Sequence, residues 1–204
     1  SYEASLEYFE NGAGQVESRQ QQGQFSAELD NSDQFTFEAN ANYDLLLAPF
    51  SPSPGVIIPV GGYHYTDARV SYSMGQQRRL SGNVSFQFGE YYSGTIRAVS
   101  FSNGRISILK QLSVEPRVSI NHVELPTGTF TTRLYSARTD YGFSPRMFAS
   151  ALLQYNSGDR TFSSNLRFRW EYRPGSEVFV VYTDERDTTV QGYPGLRNRA
   201  FVVK

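Results

Sequence analysis

Cysteine is absent from this chain. That removes any disulfide framework and any thiolate metal site, yet leaves the compartment open, because an oxidising location permits disulfides without requiring them. Long hydrophobic runs are missing too. The longest candidates, LLLAPF at 45–50 and VFVVY at 178–182, fall far short of the roughly 18 residues a membrane helix needs, so a helical span is excluded. A membrane β-barrel is not excluded, since its alternating strands give little hydropathy signal. Neither charge dominates: 19 basic residues face 20 acidic ones, net -1, which implies no nucleic-acid partner. The sequence has no Gly-rich phosphate motif leading into a helix and no Cys/His metal cluster, so no cofactor is expected. The chain opens at Ser1 with neither a basic n-region nor an apolar h-region; any export signal is expected to have been removed or to lie upstream.

What is abundant points to strands and turns: 14 Tyr, 15 Phe and 17 Gly. In NLRFRWEYR, Asn165, Arg167, Arg169, Glu171 and Arg173 occupy every second position, with Leu166, Phe168, Trp170 and Tyr172 between them. A helix would scatter both sets around its circumference, whereas a strand sends them to opposite faces. The same period recurs in about a dozen segments. Glu38, Asn40, Asn42 and Asp44 alternate with Phe35, Phe37, Ala39, Ala41, Tyr43 and Leu45, and Asp67 and Arg69 alternate with Ala68, Val70 and Tyr72. Further along, Gln87 lies between Phe86 and Phe88, Glu115 and Arg117 oppose Val114 and Val118, and Arg138 and Asp140 oppose Ala137, Tyr141 and Phe143. The segments 95–109 and 198–204 carry the period least clearly. No composition break or linker divides the chain, and one domain over 1–204 is expected.

Connections alternate in length. Tight turns are predicted at 30–33, 75–79, 109–111, 144–146 and 173–176, and all but 109–111 carry Gly, Pro, Asn, Asp or Ser. Longer connections are predicted at 48–63, 124–128, 156–160 and 184–198. In an up-and-down meander every second connection lies at one end, so one end is trimmed and the other elaborated, as in outer-membrane barrels.

Two architectures share this period. A soluble β-sandwich or lipocalin-like module buries the apolar face, while a membrane barrel turns it to lipid and keeps a polar lumen. Three features favour the barrel. The apolar faces are nearly free of charge over strands of roughly nine to eleven residues, enough to cross a bilayer. Aromatics on that parity gather toward strand ends: Phe35, Tyr72, Tyr141, Phe143, Trp170 and Tyr172 toward the tight turns, and Tyr43, Phe88, Tyr155 and Tyr182 toward the longer loops, as interfacial girdles do. Small residues such as Ala39, Ala41, Ala68, Ala149 and Ala151 share the face, and these would fill a common core poorly. The expected fold is an all-β, antiparallel up-and-down transmembrane β-barrel of about twelve strands.

The stretches FSPRMFASALLQYNSGDRTFSSNLRFRWEYRPGSEVFVVYTDERDT, 143–188, and NHVELPTGTFTTRL, 121–134, resemble a family of uncharacterised bacterial outer-membrane proteins classed as a domain of unknown function. In that family a carbohydrate-binding module of the family-nine type typically precedes a C-terminal β-barrel. The resemblance implies an outer-membrane barrel that acts as a pore or as the anchor or translocation partner of such a module. Some members are labelled hydrolase, but no catalytic motif of the barrel carries over onto residues here. The upstream module is absent from this sequence, and the end at AFVVK lacks the terminal aromatic usual in such barrels. The chain is therefore expected to be part of a longer protein.

The polar set, Glu38, Asn40, Asn42, Asp44, Asp67, Arg69, Glu115, Arg117, Arg138, Asp140, Asn165, Arg167, Arg169, Glu171 and Arg173, is expected to line the lumen. There it either selects small polar solutes or glycans, or pairs across strands and plugs the passage. Catalysis is the third reading: a Ser–His pair in a barrel needs His on the polar face or at the rim with an acidic partner, but His64 and His122 fall on the apolar parity. Asp184, Glu185 and Asp187 lack the spacing of a calcium loop and are expected to be solvated charges.

Overall fold

The computed structural model describes residues 1–12, 14–189 and 194–204. Its strands are β1 (Tyr2–Glu10), β2 (Val16–Glu28), β3 (Gln34–Leu46), β4 (Phe50–Ser53), β5 (Val56–Ile58), β6 (Gly61–Met74), β7 (Leu80–Tyr91), β8 (Gly94–Leu109), β9 (Leu112–Leu125), β10 (Gly128–Ser144), β11 (Met147–Asn156), β12 (Thr161–Arg173), β13 (Ser176–Asp187) and β14 (Gly195–Val203). All except β4 and β5 belong to one twelve-stranded sheet in which, those two aside, chain order is spatial order. The architecture is all-β, antiparallel and up-and-down, with no helix among the described residues.

Most strands exceed the nine to eleven residues expected: β8 has 16 and β10 has 17. The predicted tight turns are found at 29–33, 75–79, 110–111, 145–146 and 174–175. Pro174 and Gly175 make the last reversal, with Gly175 at φ 78°, a value open to glycine without a Cβ clash. At the other end the rhythm is less regular than predicted. The connection expected over 124–128 shrinks to Pro126 and Thr127 because β9 and β10 run up to it, and 92–93 is equally short. Elaboration falls mainly on 47–60, which folds back as the β4–β5 hairpin. Of the loop predicted at 184–198, residues 190–193 lie outside the described residues, and 184–187 and 195–198 are strand instead.

The chain packs as two compact units. Unit 1 comprises 1–75, 83–100 and 120–131; unit 2 comprises 76–82, 101–119 and 132–204. In unit 1 the register sets Ala4, Gly23, Ala39 and Ala68 side by side across β1, β2, β3 and β6 on one face. One residue further along, Asn40 and Asp67 are paired on the other face. A buried aspartate ties the tight turns together: the Asp33 carboxylate accepts from the Tyr72 hydroxyl, from the Gly75 N–H at 2.8 Å and from Asn31 Nδ2 at 3.1 Å. At the opposite end the hairpin supplies Val56 and Ile58 to a cluster with Val123 and Leu125, flanked by Leu46, Tyr63, Tyr91, Tyr92, Ile96 and Phe130. Those four residues are the buried hydrophobic core among the described residues.

In unit 2, β10 to β14 continue in regular register apart from bulges near the strand ends. Phe101 lies over two glycines. A Cβ on Gly82 would come within 2.5 Å of the Phe101 ring, and one on Gly104 within 2.3 Å of that ring and 2.7 Å of the Pro116 carbonyl oxygen. Only a backbone without side chains leaves the ring this recess.

Candidate functional site: the polar face of the sheet

Alternation places the two predicted residue sets on opposite sides of their strands. In unit 1 the polar side is the less exposed one. Glu38, Asn40, Asn42 and Asp44 are half-buried, whereas Phe37, Ala39 and Ala41 between them are exposed. Asp67 is 8% exposed and is held by amide donors: Asn40 Nδ2 at 3.2 Å, Asn42 Nδ2 at 3.1 Å and Gln87 Nε2 at 3.0 Å. Gln87 in turn accepts from Arg69 at 3.0 Å, and Arg69 lies 3.9 Å from the Glu38 carboxylate. Asp44 accepts from the Tyr65 hydroxyl at 2.6 Å. A buried carboxylate is tolerable when donors satisfy its oxygens, as they do here.

The loop end of this face is aromatic. Tyr63, Tyr65 and Tyr91 pack around Tyr92 with ring centroids 4.9 to 5.3 Å away. Burial and then the neighbouring Asp44 carboxylate push the Tyr92 phenol, in the 92–93 connection, up to about 12.

Unit 2 has a different polar face. Arg138 pairs with Asp140 at 3.1 Å, Arg169 with Glu177, and Arg167 donates to Asn165 Oδ1 at 2.9 Å. Asn165 donates to Thr183 at 2.8 Å, and Glu171 accepts from the Gly175 N–H at 3.1 Å. Arg167, Arg169 and Arg173 are exposed. This face is not purely polar: Phe148 and Leu152 share it, and the Arg169 guanidinium lies 5.8 Å from the Phe148 ring centre. Glu115, Arg117 and Arg138 line a cavity of about 590 Å³ together with Arg78 and Arg105, neither of which was singled out from sequence. Asn103 explains the omission. It sits at φ 50°, and the parity changes there: Ser100 faces Ser85 at 2.7 Å, yet Asn103 and Arg105 face the same cavity as Glu115. The Asn103–Gly104 pair was the available signal for a break in alternation.

Many side chains of the apolar parity are exposed. Trp170 and Tyr172 are 45% and 49% exposed and 6.0 Å apart, and Tyr141 meets Phe143 at 4.6 Å, which continues to Phe168 at 6.5 Å. Phe86 and Phe88 on β7 are also exposed. Tyr135 and Tyr155 stack 6.2 Å apart, and Phe35 is paired in register with Tyr72. These rings belong to strands of the single twelve-stranded sheet.

The apolar parity is less free of charge than predicted, and the exceptions gather toward the loop end. Asp184, expected to be solvated, is 6% exposed and receives Arg186 Nε at 2.6 Å and Arg199 Nε at 2.9 Å; the Tyr182 hydroxyl donates to it at 3.3 Å. Glu185 and Asp187 both approach Arg197, at 3.7 and 4.0 Å. No group of three or more His, Asp or Glu able to hold a metal occurs among the described residues. Both histidines lie on the parity expected. His64 packs on Tyr43 with centroids 4.6 Å apart. His122 contacts Thr131 Oγ1 at 2.8 Å through Nδ1 and Glu124 Oε1 at 3.2 Å through Nε2. A hydroxyl, an imidazole and a carboxylate do meet there, but on an open face, with Glu124 exposed. The Ser–His pair of the hydrolase reading is not formed by these contacts.

No protein-family model matches the chain, the resembled family included, and no curated protein matches it in sequence. Among solved structures, a NanC porin aligns over 100% of this chain and 97% of its own at 10% identity and a TM-score of 0.39. A likeness that loose carries neither fold nor function across.

Proposed function

We propose that this chain forms a single β-barrel domain of the bacterial outer membrane, with its apolar parity against lipid and its polar parity lining a path for small polar solutes or glycans. The observation that carries this reading is the inverted burial of β3, β6 and β7. Phe37, Phe86 and Phe88 are exposed, while Asp67, Asn40 and Gln87 on the reverse face are buried or half-buried and hydrogen-bonded to one another. Water solvates polar groups and excludes apolar ones, so a sheet with this pattern suits an apolar solvent outside.

Strand length supports the same reading. Strands of 12 to 17 residues, such as β7 and β10, exceed the roughly nine to eleven that span a bilayer at a tilt. The surplus is where Asp184, Arg186, Arg199, His122 and Glu124 occupy the apolar parity, a position that suits protrusion beyond the headgroups. The exposed Trp170, Tyr172, Tyr141 and Phe143 form the girdle nearer the tight turns. In this arrangement the lumen-facing set comprises the polar residues named from sequence together with Arg78 and Arg105. The resemblance over 121–134 and 143–188 adds a second role, anchoring an exported carbohydrate-binding module. The barrel wall itself performs no catalysis.

The test is reconstitution. The purified chain is expected to require detergent, to show heat-modifiable gel mobility and to give discrete conductance steps in planar bilayers. A monodisperse, folded monomer in plain buffer would overturn the reading.

A further inference from the structure

We infer that the cavity of about 590 Å³ in unit 2 is a binding site for a small polyhydroxylated organic anion, held by guanidinium groups through its carboxylate or phosphate. The site rests on the reading of the polar parity as the solute path. Four arginines, Arg78, Arg105, Arg117 and Arg138, line it against one carboxylate, Glu115. Arg105, Arg117 and Arg138 come from β8, β9 and β10, three consecutive strands of the sheet. Like charges on neighbouring strands destabilise each other unless something compensates them. Arg138 has Asp140, but neither Arg105 nor Arg117 is in an ion pair among the described residues. An anion seated between them would supply the missing charge.

The chemistry of the walls narrows the ligand. Guanidinium forks match the planar oxygens of a carboxylate and the oxygens of a phosphate. Asn103, Ser136 and Gln154 offer donors and acceptors suited to hydroxyl groups. Apolar side chains are few there, Leu152 and Pro116, so an aromatic or lipidic anion would leave its hydrophobic surface poorly matched. The volume lies within the usual range of small-molecule sites, roughly 300 to 1,000 Å³.

Calorimetric titration of the full chain in detergent micelles with glucuronate, glucose 6-phosphate and glucose tests the inference. At least one anion is expected to bind and glucose is not, with glucuronate or glucose 6-phosphate identifying the carboxylate or phosphate as the recognised group. R105Q/R117Q should weaken binding about a hundredfold, since each charged hydrogen bond is worth roughly a tenfold factor or more, whereas R105K should retain part of it. Unchanged heat-modifiable mobility establishes that the variants fold. Should the double variant not fold, the contrast between anion and glucose in the wild type still decides. Equal binding of all three ligands, binding of none, or wild-type affinity in a folded R105Q/R117Q would overturn the site. Conductance without anion binding sinks this inference and leaves the pore standing, while anion binding without conductance does the reverse.

Discussion

The polar faces of the two units are built from the same alternation and reach opposite electrostatic ends. In unit 1 acidic groups dominate, Glu38, Asp44 and Asp67 against Arg69, and amides and tyrosines satisfy them: Asn40, Asn42 and Gln87 on Asp67, Tyr65 on Asp44. In unit 2 arginines dominate, and neither Arg105 nor Arg117 is in an ion pair among the described residues. The difference shows that strand parity determines which side a residue takes and leaves open whether that side is self-satisfied or waiting for a ligand. A hydrogen-bonded carboxylate network stabilises and is costly to open; a cationic patch with few acidic neighbours is available for binding and cheap to alter.

Mutations can break that contrast. Asp67→Ala in unit 1 is expected to be the most damaging, because it strips three amides of their shared acceptor. A loss of about 3 kcal/mol follows from leaving three half-buried donors unsatisfied, read as a lower temperature of the heat-modifiable transition. Ile58→Ala, at the 1%-exposed centre of the hairpin cluster, should cost about 2 kcal/mol, seen as faster amide exchange over 50–58 with little change in unit 2. Gly104→Ala should cost roughly 1 to 2 kcal/mol through overpacking against Phe101 and the Pro116 carbonyl. Combining it with Phe101→Ala should cost less than the sum of the two, since part of the clash is removed.

An alkaline pH effect is expected in unit 1. The Tyr92 phenol is raised in the folded state, so the folded form keeps its proton where the unfolded form has lost it. Its contribution is fully present below about pH 10 and is lost as the pH rises through about 12. Near-ultraviolet circular dichroism of the tyrosine cluster should weaken over that window, and Tyr92→Phe should reduce the dependence. The smallest effect is expected from Arg167→Gln on the exposed unit 2 face, within about 0.5 kcal/mol of wild type, measured by the same thermal transition.

Much of the fold was legible because a period of two leaves so few alternatives. The parity of 35–45, 67–73 and 165–173, the tight turns and both histidines' faces were all readable from side-chain order. Three features escaped. The β4–β5 hairpin lay inside a Pro- and Gly-rich stretch whose short VII segment cannot show a period. The Asp184–Arg186–Arg199 cluster depends on β14 lying beside β13, which no local pattern encodes. Arg105 was hidden by the change of parity at Asn103, and Arg78 lies in a turn, where alternation says nothing about direction.

The claim beneath all of this is that the apolar parity faces lipid, and Trp170, the sole tryptophan, reports on it without any mutation. Its fluorescence should be measured in vesicles containing brominated lipids, with iodide in the aqueous phase as the opposing quencher. The account predicts strong quenching by bromines near the headgroup end of the acyl chain and little by iodide; strong quenching by iodide with none from brominated lipid would contradict it.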